Sequence, residues 1–214
     1  MRKLPILVLA ALLAPSAVLA NGYVVANADG SVARSSGSIK IDHLGAGQYQ
    51  VNNQTPVNGC AFIVTAGSSD TTIPAVTMAT ATGAREDRAA VRVATYDSDG
   101  NPADAGFHLI MQCTASVAPV WAVVDANGGL VRGLNATSAN HTGAGTYTFT
   151  SANGQFSDSC AYTASIGLSG TSGVSVPGIV NVAALGGGTI AVRTYDITGA
   201  AADRGFHVFS ACNL

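Results

Sequence analysis

The chain has 214 residues, of which 48% are hydrophobic and only 10% are charged, against roughly 25% charged residues in an ordinary soluble domain. This composition excludes a disordered chain, because disordered segments are poor in apolar residues and rich in charge. The formal net charge is −2 and the basic residues are scattered. A nucleic-acid binder is therefore not expected, since phosphate recognition needs clustered Lys and Arg.

The first 20 residues have the three parts of a secretory signal peptide. A basic start at residues 1–3 precedes an apolar run at 4–14, which is too short to span a bilayer. Residues with small or medium-sized side chains follow, up to Ala20. We therefore expect cleavage after Ala20 and a mature chain without a transmembrane segment, secreted or periplasmic, in an oxidising compartment.

The rest of the sequence is predicted to contain two copies of one unit of roughly 90 residues. The same residue types recur in the same order, and the third matched block, Thr-Tyr-Asp to Cys, is the clearest. We predict domains at residues 21–115 and 116–214, with a boundary near Pro119. The matched residues of the first copy include Ala28, Gly30, Arg34, His43, Gly47, Tyr49, Cys60, Thr95, Asp97, Asp104, Phe107, His108 and Cys113.

Strand signals dominate both copies. Residues 47–51 and 145–149 alternate polar and apolar side chains, and residues 91–96 and 190–195 are rich in β-branched and aromatic types. We interpret residues 75–90, with their shorter counterpart 178–188, as a variable loop. Many short strands separated by turns predict an all-β chain of two tandem β-sandwiches, with a jelly-roll-like arrangement as the alternative.

Four cysteines allow three pairings, and the repeat selects one of them. Each copy has one cysteine after its Gly-x-Tyr strand and one at its end. We therefore predict the disulfides Cys60–Cys113 and Cys160–Cys212, one for each domain. A metal site or a redox pair is disfavoured, because no CxxC spacing occurs.

The four histidines are also matched by the repeat, His43 with His141 and His108 with His207. They could form a metal or acid–base site that is present twice, or they could serve the fold alone. No HxH or HExxH spacing favours the metal. Strand alternation places His108 on the face opposite Phe107, where it would bond a neighbouring strand or be solvated.

The acidic turn that contains Asp97 and Asp99, with Asp104 nearby, has the oxygen-rich composition of a calcium loop. It lacks the glutamate of an EF-hand, and Thr198 replaces Asp99 in the second copy. We therefore favour a polar hairpin turn. Asp104 and Asp203 are expected to cap turns by accepting backbone N–H hydrogen bonds.

Motifs for catalysis are weak, and no cofactor motif is present. Glu86 is the only glutamate, and no aspartate pair is singled out for glycoside hydrolysis. No Gly-x-Ser-x-Gly elbow occurs, although a spatial Ser-His-Asp triad stays open. Three Asn-x-Ser/Thr sequons, at Asn53, Asn135 and Asn140, matter only in a host that glycosylates exported proteins.

The order of motifs in each copy resembles that of uncharacterised domains of bacterial exported proteins, and the two copies together cover nearly the whole mature chain. These motifs are Gly-x-Tyr-x-Val, Cys-Ala, Val-x-Thr-x-Asp-x-x-Gly, Asp-x-x-Phe-His-Leu and a final Cys. The second copy departs from them with Val208 in place of Leu109. The resemblance implies a β-rich extracytoplasmic module and carries no activity. A weaker likeness to C1q-type jelly rolls lies in the Gly-x-Tyr strand, and we do not transfer trimerisation from it.

These observations predict a secreted or surface-associated binding or structural module rather than an enzyme, without a cofactor or metal. Its partner, a protein or a glycan outside the cytoplasm, is not specified by the residues. Two similar domains would raise avidity for a repetitive partner. A small exported hydrolase and a purely structural coat or spacer protein are the alternatives.

Overall fold

The computed structural model describes residues 22–57, 59–71, 76–83, 89–113, 120–152, 160–170 and 173–212. Within these ranges the chain is all-β, as predicted, and its strands form four antiparallel sheets. No helix in the described ranges is long and apolar enough to cross a membrane. The predicted signal peptide and the boundary near Pro119 lie outside the described residues.

The first domain contains two four-stranded sheets, ordered β2-β1-β8-β5 and β3-β4-β7-β6. Their inner faces pack together around Tyr49, Phe62, Val93, Phe107 and Leu109, which makes the domain a sandwich. The strands are β1 (Gly22–Ala26), β2 (Val32–Ser35), β3 (Lys40–Gly45), β4 (Gln48–Asn52), β5 (Ala61–Ala66), β6 (Met78–Gly83), β7 (Ala90–Tyr96) and β8 (Phe107–Gln112).

The second domain has the same strand order, with sheets β10-β9-β16-β13 and β11-β12-β15-β14. Its separate core contains Val124, Tyr147, Phe149, Ile190 and Phe206. The strands are β9 (Trp121–Val124), β10 (Leu130–Leu134), β11 (Ala136–Gly143), β12 (Thr146–Ser151), β13 (Cys160–Ile166), β14 (Ile179–Gly186), β15 (Thr189–Tyr195) and β16 (Phe206–Cys212). The chain therefore folds into two tandem β-sandwich domains.

The predicted loop at residues 75–90 is wrong in its centre, because β6 (Met78–Gly83) pairs with β7. Its counterpart in the second domain, β14 (Ile179–Gly186), likewise pairs with β15. Both strands lie at the end of their sheets. In β6 the buried positions are Thr80, Ala81, Thr82 and Gly83, small residues that give no apolar alternation in the sequence.

The first predicted disulfide, Cys60–Cys113, is confirmed, with the two Cα atoms 4.1 Å apart. It joins the residues next to Ala61 and Gln112, the end pair of the β5–β8 ladder. In the second domain Cys160 is disulfide-bonded and lies opposite Cys212 in the β13–β16 ladder, the arrangement that the predicted bridge requires.

Candidate functional site

The histidine and aspartate matched by the repeat meet at one end of the first domain. His43 lies in β3, Gly47 lies in the turn to β4, and Asp104 lies in the loop before β8. The Gly47 N–H donates to Asp104 Oδ1 over 2.6 Å, and the His43 Nε2–H donates to the same oxygen over 2.9 Å. We call these three residues, with Tyr49, the latch.

Tyr49 connects the latch to the core. Its ring is fully buried and stacks on His43 with the ring centroids 5.0 Å apart. Its hydroxyl donates to the carbonyl oxygen of Ala28, in the turn between β1 and β2, over 2.7 Å. Gly47 has a positive φ of 63°, and a Cβ there would collide with the Thr95 carbonyl, so the turn requires glycine.

The second domain repeats the latch with the same geometry. Asp203 Oδ1 accepts hydrogen bonds from the Gly145 N–H at 2.6 Å and from His141 Nε2 at 2.9 Å. Tyr147 stacks on His141 with centroids 5.0 Å apart and donates to the Ala126 carbonyl over 2.9 Å. The predicted turn-capping role of Asp104 and Asp203 is therefore confirmed.

Hydrogen bonding makes the latch carboxylates stronger acids. The backbone N–H of Gly47 has the largest effect and lowers the pKa of Asp104 below 3.8; burial opposes it, and the hydrogen bond from the His43 side chain lowers the pKa further. Gly145 has the same leading effect on the pKa of Asp203. The side chain of Asp104 is 43% exposed, so water screens the ion pair and its contribution is modest.

Asp104→Ala is expected to lower the free energy of unfolding by about 1–2 kcal/mol, because the turn loses a charge-assisted acceptor. Asp104→Asn, which retains an oxygen for the Gly47 N–H, should lose less. Since the folded pKa is lowered, this stabilisation is present above the unfolded pKa and disappears as the pH falls through the folded value. Urea unfolding at neutral pH and near pH 3 measures both effects.

The control for the latch is Asp99→Ala, since Asp99 is an exposed aspartate of the nearby hairpin turn. It should change stability by less than about 0.5 kcal/mol. A loss for Asp99→Ala as large as that for Asp104→Ala would contradict the role of the latch.

The acidic turn at Asp97 is a hydrogen-bonded hairpin turn, as favoured from the sequence. Asp97 Oδ1 accepts the backbone N–H groups of Asp99 and Asn101, each over 2.9 Å. In the second domain Asp196 Oδ1 accepts the N–H of Thr198 over 2.8 Å. No group of three or more His, Cys, Asp or Glu suited to a metal ion occurs in the described part of the chain.

The other pair of histidines occupies equivalent positions in unlike surroundings. His108 is exposed on the outer face of β8, opposite Phe107, as predicted, and its Nε2–H donates to the Ser68 carbonyl over 2.9 Å. His207 is fully buried, and its Nε2–H donates to the Leu168 carbonyl over 3.1 Å. Both partners are backbone carbonyl oxygens and not the serine hydroxyl that a Ser-His-Asp triad would require.

The edge of the first domain buries His207. The outward backbone N–H of Phe62, on the edge strand β5, donates to His207 Nδ1 over 2.9 Å. The next outward N–H, of Val64, donates to Ser165 Oγ over 2.9 Å, and the Ser165 hydroxyl donates back to the Val64 carbonyl. The edge of one sandwich thus lies on the outer face of the other, and side chains satisfy its backbone groups.

Further contacts make this a continuous interface. Arg132 Nε donates to the Cys60 carbonyl over 2.9 Å, and its guanidinium carbon lies 6.0 Å from the Phe62 ring centroid. Trp121 packs against Ala61. We call Trp121, Arg132, Ser165, His207 and Phe209 the covered face of the second domain.

Burial at this interface keeps His207 neutral. Removal of the imidazole from water, reinforced by the positive charge of Arg132, lowers its pKa from 6.5 to about 3. Hydrogen bonding agrees with the neutral form, because Nδ1 must lack a proton to accept the Phe62 N–H. An imidazolium would place two donors against each other.

The protein is expected to lose about 2 kcal/mol of stability between pH 7.5 and pH 5 through His207. The unfolded histidine takes up a proton below its pKa of 6.5, whereas the folded one does not above about 3. This stabilisation is therefore fully present above pH 6.5 and decreases as the pH falls. Urea unfolding across this range measures it, and His207→Gln is the control that should lack this slope. Equal slopes for the two proteins would contradict the assignment.

The first domain presents an equivalent set of residues without such a cover. Tyr23, Arg34, Thr65, His108 and Ile110 occupy the positions of the covered face, and all five are exposed. Tyr23 is 47% exposed and Ile110 51%. We call these residues the open face.

A cavity of about 350 Å³ lies beside the latch of the first domain, and its lining includes Asn27, Ser68, Ser69, Asp70 and Asp104. Its polar groups bond one another. The Ser69 hydroxyl donates to Asn27 Oδ1 over 2.5 Å, and the Ser68 hydroxyl donates to Asp70 Oδ1 over 2.6 Å. These four polar side chains are engaged with one another, which weakens the cavity as a reactive site.

Comparison of the chain with protein-family models, with curated proteins and with solved structures found no match.

Proposed function

We propose that this protein is an extracytoplasmic interaction module, produced by tandem duplication, that binds a protein partner on the open face of its first domain. One observation carries the proposal. The equivalent face of the second domain is buried by a strand edge through His207 and Ser165, whereas the open face has the same chemistry and is exposed.

The open face is held in a binding-competent arrangement. Arg34 Nη1 donates to the Ser69 carbonyl over 2.8 Å, as Arg132 does to Ser169 over 2.7 Å. Side chains that are already fixed lose less entropy when a partner binds. Exposed Tyr23 and Ile110 add the apolar and aromatic surface that is typical of protein interfaces.

An extracytoplasmic location is part of the proposal. A disulfide links Cys60 to Cys113, and disulfides persist in oxidising compartments. The start of the sequence has the pattern of a signal peptide with cleavage after Ala20. The matched residues of the two domains, as in the bacterial exported domains that the sequence resembles, support a duplicated module.

Affinity capture from the cell envelope and medium of the producing organism tests the proposal, with the mature chain as bait. Ile110→Arg should abolish capture, because it places a charge at the centre of the open face. The control Ile179→Arg changes an isoleucine that is exposed to a similar degree, 44%, on β14 of the second domain, and it should preserve capture. Equal capture by wild type and Ile110→Arg, or no capture by wild type at micromolar concentration, would overturn the proposal.

A further inference from the structure

We propose that the open face binds the second domain of another copy of this chain. The edge of β13 of that copy would lie on the open face in the same way that the edge of β5 lies on the covered face within one chain. The inference rests on the proposed function and names its partner. The resulting contact joins the second domain of one copy to the first domain of the next.

The receiving surfaces correspond residue by residue. Each pair has side chains of the same chemical type, and each pair has the same position in the sheet: Tyr23 and Trp121, Arg34 and Arg132, Thr65 and Ser165, His108 and His207, Ile110 and Phe209. The open face therefore has an arginine, a hydroxyl, an imidazole and two apolar groups at the positions that hold β5 on the second domain.

The orientation of His108 favours this role. Its Nε2–H donates to the Ser68 carbonyl, just as the Nε2–H of His207 donates to the Leu168 carbonyl. In the tautomer that has its proton on Nε2, the acceptor of the ring is Nδ1. In His207 that acceptor receives the Phe62 N–H of β5. His108 therefore presents an equivalent acceptor on the open face.

The inserting edge also has its counterpart. Like β5, β13 is the last strand of its sheet in the described part of the chain. Its register on β16 matches that of β5 on β8, so the outward backbone positions Phe62 and Val64 correspond to Tyr162 and Ala164. Ala161, which corresponds to the interface residue Ala61, is exposed.

The correspondence specifies the contacts between two copies. The N–H of Ala164 would donate to the Thr65 hydroxyl, and the strand position of Tyr162 would lie opposite His108, as that of Phe62 lies opposite His207. Arg34 Nε would donate to the Cys160 carbonyl, as Arg132 Nε does to that of Cys60. These groups form an edge-on-face contact with the hydrogen bonds of the internal interface.

The two surfaces differ and lie on different domains, so the contact is heterologous. A heterologous contact leaves a receiving face at one end and an inserting edge at the other, and copies then add head to tail. Within one chain the tether supplies an effective concentration on the order of mM. The contact between copies lacks this tether, so association should depend on protein concentration.

Sedimentation velocity of the mature chain from about 10 μM to about 1 mM, a range that spans the effective concentration of a tethered domain, tests this assembly. Thr65→Arg blocks the open face and Ala161→Arg blocks the inserting edge, and both residues are exposed, so the fold should tolerate them. We expect wild type to form dimers and longer species, and each variant alone to remain a monomer.

Mixing the two blocked variants provides the decisive result. One retains an intact edge and the other an intact face, so the mixture should form a 1:1 dimer that cannot grow. Ala183→Arg, at an exposed position of β14, is the matched control and should assemble like wild type. A wild type that stays monomeric at the highest concentration, blocked variants that assemble like wild type, or a mixture that gives no dimer would overturn the inference.

The outcomes also separate this inference from the proposed function. If wild type remains a monomer while Ile110→Arg still abolishes capture from the envelope, the open face binds a partner other than this chain. If neither self-association nor capture occurs, both proposals fail.

Discussion

His207→Ala should lower the free energy of unfolding by about 4 kcal/mol, the loss typical of truncating a large buried side chain. The substitution leaves a cavity between the domains and removes the acceptor for the Phe62 N–H. It also removes the donor to the Leu168 carbonyl. Buried polar groups left without partners cost about 1–3 kcal/mol each, so this position should be among the most sensitive in the chain.

The chain contains its own control for this prediction. His108 has the same position in the first domain, but it is exposed and bonds the Ser68 carbonyl at the surface, so His108→Ala should cost less than about 1 kcal/mol. Urea unfolding can be followed by fluorescence of Trp121, the only tryptophan, which is buried at the interface. Similar losses for the two alanine variants would show that the interface does not stabilise the protein.

Replacing both Cys60 and Cys113 by alanine is expected to cost about 4 kcal/mol, the chain-entropy value for a loop of this length. The bridge spans a sequence separation of 53 residues and ties β5 to β8 next to the interface. The unfolded chain gains freedom when the bridge is absent, whereas the folded ladder retains its hydrogen bonds. Urea unfolding of the double variant without reductant measures the loss.

Peptide mapping under non-reducing conditions checks the pairing on which this prediction depends. A peptide that joins Cys60 to Cys113 is expected, and a second that joins Cys160 to Cys212 would complete the predicted set. A peptide that joins Cys60 to Cys160 would contradict it. The single variant Cys60→Ala is the control, because it opens the same loop and should be destabilised by nearly the same amount as the double variant.

Sequence reasoning succeeded where local pattern and the repeat agree. Alternation of polar and apolar residues identified β8 and placed His108 on its outer face. This prediction requires only that successive side chains of a strand point to opposite faces. The repeat selected Cys60–Cys113 from three possible pairings. Turn chemistry predicted that Asp104 caps a backbone N–H, although it did not indicate that Gly47 supplies it.

The interface between the domains could not be predicted, because it depends on which surfaces meet after folding. His108 and His207 are identical in type and follow the same Gly-Phe sequence, yet one is exposed and the other fully buried. The sequence did contain one indication that a face of the second domain is covered. The strand Trp121–Val124 is a run of four apolar residues, all of them buried, and such continuous runs indicate strands covered on both faces.

The way in which β5 is covered has a consequence for biogenesis. Translation produces the first domain before Ser165 and His207, so at that stage the N–H groups of Phe62 and Val64 lack the partners that they have in the full chain. Edge strands with unpaired backbone N–H groups can pair with other chains and form aggregates. A fragment that ends at Cys113 should therefore precipitate at a concentration at which the full chain stays in solution.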